Sequence, residues 1–340
     1  MTDRLRVFTK DDVDPDALKD KTIAVIGYGA QGRAQGLNLR DSGLEVIVGA
    51  RAGGGSEQRA RADGFHTLSV EDAAEEADVI AMLAPDMAHG EIYEQVLRPR
   101  MKEGDTLLFG HGFSVLYGLV KPAADIDVVM VAPKGIGQLV RREYEKGRGV
   151  PALFSIHQDA TGNATKTALG YADGIGGTAA AIWETTFRDE AETDMFGEQA
   201  VLCGGVTELF LRAYETLVEA GYPRELAYTE CFHELKLVVD ILHEGGLNKM
   251  YSSISETAAF GDLLNGGSII GPEVKERMKG VLDQIRSGQF AHEWILENQA
   301  GKARFEAMKA RKRDHDIEDI GQHVRSFMPW LEGGGNNSGD

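Results

Sequence analysis

The sequence predicts an α/β chain in two parts: a doubly wound Rossmann-type parallel sheet domain followed by an all-α domain. Three observations carry this. Short apolar runs alternate with amphipathic stretches through the first half, one run enters a glycine-rich turn, and from about residue 190 the spacing becomes helical. A chain of 340 residues has room for two domains of ~150 residues each. The expected division is 1–184, then 185–331, with a disordered tail over 332–340.

The elements follow in order. TIAVIGYG (22–29) is an apolar run entering glycines, and QGRAQGLNLRDSG (31–43) reads as a helix closed by Gly43. EVIVGAR (45–51) is the next strand-like run. RARADGF and VEDAAEEA lead into DVIAMLAP (78–85), and MAHGEIYEQVLRPRM is helical. DTLLFGHG (105–112) and DVVMVAPKG (127–135) follow. Apolar runs this continuous, alternating with helices, belong to a parallel sheet covered on both faces. In the second half DMFGEQAVLCGGVTELFLRAYETLVEAG, ELAYTECFHELKLVVDILHEGG and PEVKERMKGVLDQIRSG each keep helical spacing and end in Gly, the residue that closes helices in the left-handed conformation.

Composition narrows the function. A net charge of −18, from 36 Lys+Arg against 54 Asp+Glu, excludes nucleic-acid and anionic-membrane binding, which need a basic footprint. The acid excess is spread along the chain. It fits a surface adapted to high salt, where repulsion is screened within a few Å, and it also fits ordinary acidic solubility. Cys203 and Cys231 are the only cysteines, so there is no disulfide framework. The opening MTDRLRVFTKDD has no apolar core of a signal peptide, and no later run approaches ~18 uninterrupted apolar residues. The expectation is a soluble, cytoplasmic protein acting on small molecules.

Gly27-Tyr28-Gly29-Ala30-Gln31-Gly32 is a GxGxxG run that follows a strand-like segment and opens a helix. Gly27 allows the tight turn, Gly29 lets the backbone approach a pyrophosphate, and Gly32 lets helix and strand pack closely. The helix N-terminus supplies N–H donors and a positive dipole end. After the next strand, an acidic residue would bind the ribose 2′-OH of NAD. Here stands Arg51-Ala52-Gly53-Gly54-Gly55-Ser56. Arg51 can pair with a 2′-phosphate and Ser56 can donate to it, which favours NADPH. Glu57 lies beside the loop, and NADH remains possible.

Asp194 and Glu198 are four residues apart, as are Glu230 and Glu234. On a helix each pair shares a face with Cβ atoms ~5–6 Å apart, mildly repulsive unless a cation neutralises them. Four carboxylates on two helices would suit hard Mg²⁺ ions. The same spacing is common on solvated faces, and Glu184, Asp189 and Glu190 compete equally well. His111, in Gly110-His111-Gly112-Phe113, and Lys134, in Ala132-Pro133-Lys134-Gly135, each follow a strand-like run, where open α/β sheets place ligands. His233 and His243 read as packed or surface histidines.

Together these segments resemble ketol-acid reductoisomerase, in its shorter form with one helical domain. The resemblance rests on GYGAQGRAQGLNLRDSG, LFGHGFS, APKGIGQLVRREYEKGRGVPAL, ETTFRDEAETDMFGEQAVLCGG, LVEAGYPRELAYTECFHELKLVVDILHEGG, SSISETAAFGD and SFMPW, in order from about residue 5 to 331. It implies a knotted helical domain and a two-Mg²⁺ enzyme of branched-chain amino-acid synthesis. The enzyme would rearrange 2-acetolactate or 2-aceto-2-hydroxybutyrate and reduce the product with NADPH. Asp194 would bridge both ions, Glu198 would complete one, and Glu230 and Glu234 would come from a partner subunit. Ser255 would hydrogen-bond the substrate, His111 would be the catalytic histidine, and Lys134 would organise proton movement near the metals. Tyr28 to Gln31, Arg51, Ser56, Asp86, Met87, Ala88, His89 and Gly137 match cofactor-contacting positions. A homodimer or larger homo-oligomer is implied. The competing expectation is a metal-independent β-hydroxyacid dehydrogenase, which would need a catalytic lysine such as Lys236 or Lys249 in the helical half.

Overall fold

The computed structural model describes residues 4–332, so nearly all of the expected tail lies outside the described residues. The chain divides into two compact units between Thr193 and Asp194, further along than the 184/185 division expected from sequence. Each unit is described by itself.

The first unit is built on one sheet. Its strands are β1 (Val7–Phe8), β2 (Thr22–Ile26), β3 (Glu45–Gly49), β4 (His66–Leu68), β5 (Val79–Met82), β6 (Thr106–Phe109), β7 (Asp127–Pro133), β8 (Ala152–Gln158) and β9 (Ile182–Glu184). Their spatial order is β1-β9-β8-β7-β6-β5-β2-β3-β4. Strands β4-β3-β2-β5-β6-β7 are parallel throughout, whereas β8 runs antiparallel to β7 and β1 antiparallel to β9. The parallel sheet read from sequence thus continues at one side into an antiparallel pair that the reading did not include. The strands it passed over are two or three residues long or, as in β8, carry Ser155, His157 and Gln158 among apolar residues.

Period-two alternation explains why both faces are covered. Ile23, Val25, Val79, Ala81, Val129 and Val131 enter one core with Leu37 and Leu39 of α1 (Ala30–Asp41), and with residues of a later helix described below. Ala24, Ile26, Ile80, Met82, Val128 and Met130 enter the other core with Ala73 and Ala74. Each fully buried Val, Leu, Ile or Met contributes roughly 1.5–3 kcal/mol, so no helix on either face can be lost cheaply. After α1 come α2 (Gly55–Ala62), α3 (Val70–Glu76), which supplies Ala73 and Ala74, α4 (Asp86–Ile92), α5 (Phe113–Leu116), α6 (Gly137–Glu145) and α7 (Ala164–Gly174); the next helix, α8 (Phe187–Gly197), contains the division between the units. Ala168 and Tyr171 of α7 complete the first core. The carboxyl ends of β2, β5, β6 and β7 open side by side onto the turns carrying Gly27, Ala84, His111 and Lys134. That edge is where open α/β sheets bind ligands.

The second unit is helical: α9 (Gly204–Glu219), α10 (Arg224–Tyr228), α11 (Glu234–Ser253), α12 (Glu256–Ile269), α13 (Pro272–Arg286), α14 (Gln289–Gln299), α15 (Ala303–Arg313), α16 (Ile317–Arg325) and α17 (Pro329–Glu332). Gly221, Gly246 and Gly288, each at the end of a predicted helical run, have φ of +89°, +67° and +78°. One small core joins Leu211 and Tyr214 of α9, Ala227 and Tyr228 of α10, and Ile317 and Ile320 of α16. By contrast α11 and α12 bury no residue, and Leu237, Val239, Leu247, Phe260, Leu263 and Leu264 are exposed on them.

In this unit two predicted helices are interrupted. A π turn covers Glu198–Leu202 between α8 and α9, and another covers Thr229–His233 between α10 and α11. The first explains Gly204-Gly205. A Cβ on Gly204 would lie 2.0 Å from the Gln199 carbonyl oxygen, and one on Gly205 would lie 2.1 Å from that of Ala200. Here the helix widens to i→i+5 bonding, which brings the carbonyl five residues back to where a Cβ would stand. No helix among the described residues is long and apolar enough to cross a membrane.

Candidate active site

The site begins at the turn after β2. Gly27 has φ +97°, and a Cβ there would lie 2.4 Å from the Ala84 amide nitrogen, so the turn presses against the loop after β5. A Cβ on Gly32 would lie 1.9 Å from the Gly27 carbonyl oxygen, while in front of Gly29 nothing stands within 4 Å. Two glycines are therefore needed for packing and the third faces open space. Gly29 is the N-cap residue of α1, and the amides of Ala30, Gln31 and Gly32 belong to the first turn, whose N–H groups have no intrahelical acceptor. That combination suits an anion such as a pyrophosphate.

Side chains around the turn mostly face inward. Tyr28 is buried, packs edge-on against Phe65 with ring centroids 5.6 Å apart, and donates its hydroxyl to Asp63 Oδ2 at 3.0 Å. Burial and that carboxylate push its pKa up. Arg33 grips the same carboxylate, with Nε at 2.7 Å, and holds Asp63 below the usual carboxylate range. His89 is buried and uses both ring nitrogens, one to Ser114 Oγ at 2.8 Å and one to the Ala84 carbonyl at 2.7 Å. A carbonyl only accepts, so His89 carries its proton on Nε2. The side chains of Tyr28 and His89 are thus engaged within the fold. A Cβ on Gly137, at the start of α6, would lie 2.1 Å from the Ala30 carbonyl oxygen, so this turn and the glycine-rich turn meet backbone to backbone. Asp86, Met87 and Ala88 form the first turn of α4, at the same sheet edge.

The loop after β3 is ordered by charge. Glu57 Oε2 accepts from the Gly53 amide at 2.6 Å, and Oε1 accepts from Arg61 at 2.7 Å. The Gly53 hydrogen bond, then Arg61, hold Glu57 below its ordinary pKa. Arg59 Nη2 reaches Ser56 Oγ at 3.3 Å, and Arg51 is exposed.

The chemistry-bearing cluster lies at the ends of β6 and β7. Glu190, on α8, is 1% exposed. Its Oε2 accepts from the Gly112 amide at 2.8 Å and pairs with His111 Nδ1 at 2.9 Å, and its Oε1 accepts from Lys134 Nζ at 2.6 Å. Burial alone would raise its pKa. The His111 hydrogen bond and charge, with those of Lys134, outweigh burial and bring it down to about 2. A Cβ on Gly112 would lie 2.3 Å from the Phe187 carbonyl oxygen, which is why the His111 turn can press against the start of α8.

Asp194 stands one turn beyond Glu190 on the same helix. Ligand atoms of His111, Glu190 and Asp194 lie within 4.8 Å of one another. Glu190 already receives three donors, so it serves better as the carboxylate that fixes His111 and Lys134 than as a cation ligand. Sequence reasoning left Glu190 level with Glu184 and Asp189. Those two are exposed and Glu190 is buried. The signal that could have singled it out is the continuous four-residue row Glu190, Asp194, Glu198.

The remaining candidates lie in the helical unit. Glu198 is exposed and opens the first π turn; Glu230, in the second, and Glu234, immediately after it, are also exposed. No cluster with metal-ligand spacing among the described residues includes Glu230 or Glu234. Ser255 caps α12, its Oγ accepting from the Ala258 amide at 3.1 Å. Lys236 and Lys249 are tied to Asp240 and Glu244 on the surface of α11, far from the setting a catalytic lysine needs.

Family models match both parts of the chain. "Acetohydroxy acid isomeroreductase, NADPH-binding domain" matches residues 17–181. "Ketol-acid reductoisomerase, C-terminal domain" matches residues 187–330. The chain belongs to the ketol-acid reductoisomerase family. Among solved structures, an NADH-preferring ketol-acid reductoisomerase from an uncultured archaeon is 43% identical. It covers 95% of this chain and 99% of its own, with a TM-score of 0.93. A putative oxidoreductase from Jannaschia sp. is 19% identical over 80% of this chain and 97% of its own, at a TM-score of 0.60. A semialdehyde dehydrogenase NAD-binding protein from Cupriavidus necator is 16% identical over 79% and 99%, at 0.61; these two share the fold alone. This ketol-acid reductoisomerase is an oxidoreductase of branched-chain amino-acid biosynthesis that uses a nicotinamide cofactor. The metal-independent dehydrogenase reading is thereby set aside.

Proposed function

We propose that this ketol-acid reductoisomerase works with two Mg²⁺ ions on Asp194, Glu198, Glu230 and Glu234, with Glu190 holding Lys134 and His111 at the reacting centre. The observation that carries the reading is the Lys134–Glu190–His111 group directly beside Asp194. The donor set fits, since carboxylate oxygens on adjacent helical turns suit a hard divalent cation. When bound, the ions would polarise the neighbouring carbonyl and hydroxyl oxygens of a 2-acetohydroxy acid, and the reduced nicotinamide would supply the hydride.

The chain's own residues hold and move protons. Glu190 stays ionised and accepts from His111 Nδ1, so that when His111 is neutral its lone pair stands on Nε2. Lys134 is held by the opposite oxygen of the same carboxylate. A proton leaving the tertiary hydroxyl and a proton reaching the reduced oxygen can both be handled within this group. The Ser255 hydroxyl, which accepts from its own helix, can still donate to substrate.

Glu230 and Glu234 would reach the site from a second copy of the chain. Supporting this, α11 and α12 expose a run of large apolar residues that only another surface would cover. We read the cofactor as NADPH first, on Arg51 and Ser56, with NADH also accepted because Glu57 already neutralises part of the loop's positive charge through Arg61. The test is NADPH oxidation with 2-acetolactate, with and without Mg²⁺, on wild type and Glu234→Gln. Loss of turnover on chelation and in the variant is expected; activity that survives either sinks the two-metal reading.

A further inference from the structure

Behind the active-site turns runs a hydrogen-bonded chain that the reaction as described does not use. Tyr171, on α7, donates its hydroxyl to Gln35 Oε1 at 2.9 Å. Gln35 Nε2 donates to Gln31 Oε1 at 3.0 Å, one turn earlier on α1. Gln31 Nε2 then donates to the Gly135 carbonyl at 2.8 Å. Tyr171 and Gln35 are fully buried.

The chain has one consistent polarity. The Gly135 carbonyl can only accept, so Gln31 must present its NH₂ to it and its oxygen to Gln35. Gln35 must then present its own oxygen to Tyr171, whose hydroxyl is a donor. Burial raises the Tyr171 pKa, which keeps that donor protonated. A leucine at position 35 would fill the space between α1 and α7 without desolvating an amide. A buried, fully satisfied polar chain instead specifies one arrangement of the parts it joins. Those parts are the glycine-rich turn, through Gln31, and the turn that follows Lys134. The two turns also meet where Gly137 lies against Ala30, and the Lys134 amide is fixed to the Pro151 carbonyl at 2.7 Å.

We propose that Tyr171, Gln35 and Gln31 form a positioning relay that locks the Lys134–Gly135 turn to the dinucleotide-binding turn. Through it the Lys134–Glu190–His111 group keeps a fixed distance from the bound nicotinamide. This rests on the reading of Lys134 as part of the reacting centre. Gln31 thereby serves through its side chain as a brace, separate from any backbone contact to the pyrophosphate.

The test uses the full-length enzyme with NADPH and 2-acetolactate. It compares wild type, Gln31→Met, Gln31→Glu, Tyr171→Phe and the double variant Gln31→Met/Tyr171→Phe, with NADPH affinity measured separately by fluorescence titration without substrate. Displacements of about 1 Å near a reacting centre cost up to ~10²-fold. We expect kcat in Gln31→Met to fall about 10- to 100-fold, with NADPH Kd within about 3-fold of wild type. Gln31→Glu should fall as far, because it still accepts from Gln35 but cannot donate to Gly135. Tyr171→Phe, which removes one atom and keeps the packing, should fall less. The double variant should be no worse than Gln31→Met alone, since residues in one chain are not additive. Wild-type kcat in Gln31→Glu overturns the proposal. So does a loss confined to NADPH Kd, or a double variant whose losses multiply. Lys134→Met is the control on the underlying reading: full activity there refutes the role of Lys134, whatever the relay variants do.

Discussion

Replacing Glu190 with glutamine tests the organisation of the site at its centre. The carboxylate accepts from Gly112 N–H, His111 Nδ1 and Lys134 Nζ, at 2.8, 2.9 and 2.6 Å. A glutamine offers one acceptor oxygen and one NH₂. Whichever way it turns, its NH₂ faces a donor, either Lys134 or the His111–Gly112 pair. The size of the loss follows from its pKa, about 2 against an ordinary 4.5. At 1.36 kcal/mol per tenfold, the folded state's preference for the ionised form amounts to about 3 kcal/mol. A folded pKa below the unfolded one gives stability that is fully present above pH ~4.5 and disappears as pH falls towards ~2. For a unit of this size, where 1 kcal/mol shifts Tm by about 2–4 °C, the substitution should lower Tm by about 6–12 °C at pH 7. The wild-type and variant melting curves should converge below pH ~3. With both proton-handling groups released, kcat/KM for 2-acetolactate should fall by about 10²-fold or more. The assays are NADPH oxidation at saturating Mg²⁺ and thermal melts across pH. A variant within threefold of wild-type kcat/KM, or a Tm gap as large at pH ~2 as at pH 7, would refute the reasoning.

Three further outcomes are expected. Arg51→Ala should lower kcat/KM for NADPH about tenfold, the scale of one hydrogen bond to a charged group, and leave NADH unchanged; equal losses with both cofactors would show that Arg51 does not meet the 2′-phosphate. Gly204→Ala places a methyl 2.0 Å from the Gln199 carbonyl oxygen, so a stability loss at or above the ~1–3 kcal/mol of overpacking is expected in chemical denaturation; a neutral result would mean that the π turn yields easily. If the charge of −18 reflects adaptation to high salt, Tm should keep rising with KCl well beyond ~0.15 M, where the Debye length is already ~8 Å. A flat profile would assign the acidity to ordinary solubility.

Much of the fold was legible because its signals are local. Continuous apolar runs such as Thr22–Ile26 and Val79–Met82 need burial on both faces, and glycines at 27, 221 and 288 mark the positive φ values observed. The antiparallel edge was not legible. Its pairing of β7 with β8 depends on where the chain turns after α6, and β8 mixes polar and apolar residues. At the site, the positions of His111 and Lys134 followed from the rule that ligands lie beyond strand ends. Glu190 could not be separated from Glu184 and Asp189 by spacing, because what distinguishes it is burial against two turns that arrive from 56 and 79 residues away in sequence.

The acid pairs show a limit of helical periodicity itself. Reading 194–221 as one helix assumes 100° per residue throughout. The bond from the Cys203 amide to the Glu198 carbonyl spans five residues, and one extra residue in a turn rotates everything beyond it by about 100° relative to a straight helix. The apolar stripe is therefore broken at the turn, and Val201 and Leu202 are exposed although they sit between helices with buried faces. The second π turn, closed by the Glu234 amide on the Thr229 carbonyl, takes in Glu230 and ends just before Glu234, the other acid pair. Both carboxylate pairs thus occur where a helix is widened, and wide turns are less stable than α-helix and concentrate at functional sites. Gly204-Gly205 is the sequence trace of the first, since only residues without a Cβ can stand above its carbonyls. Side chains beyond each turn therefore take directions that the sequence pattern alone misassigns.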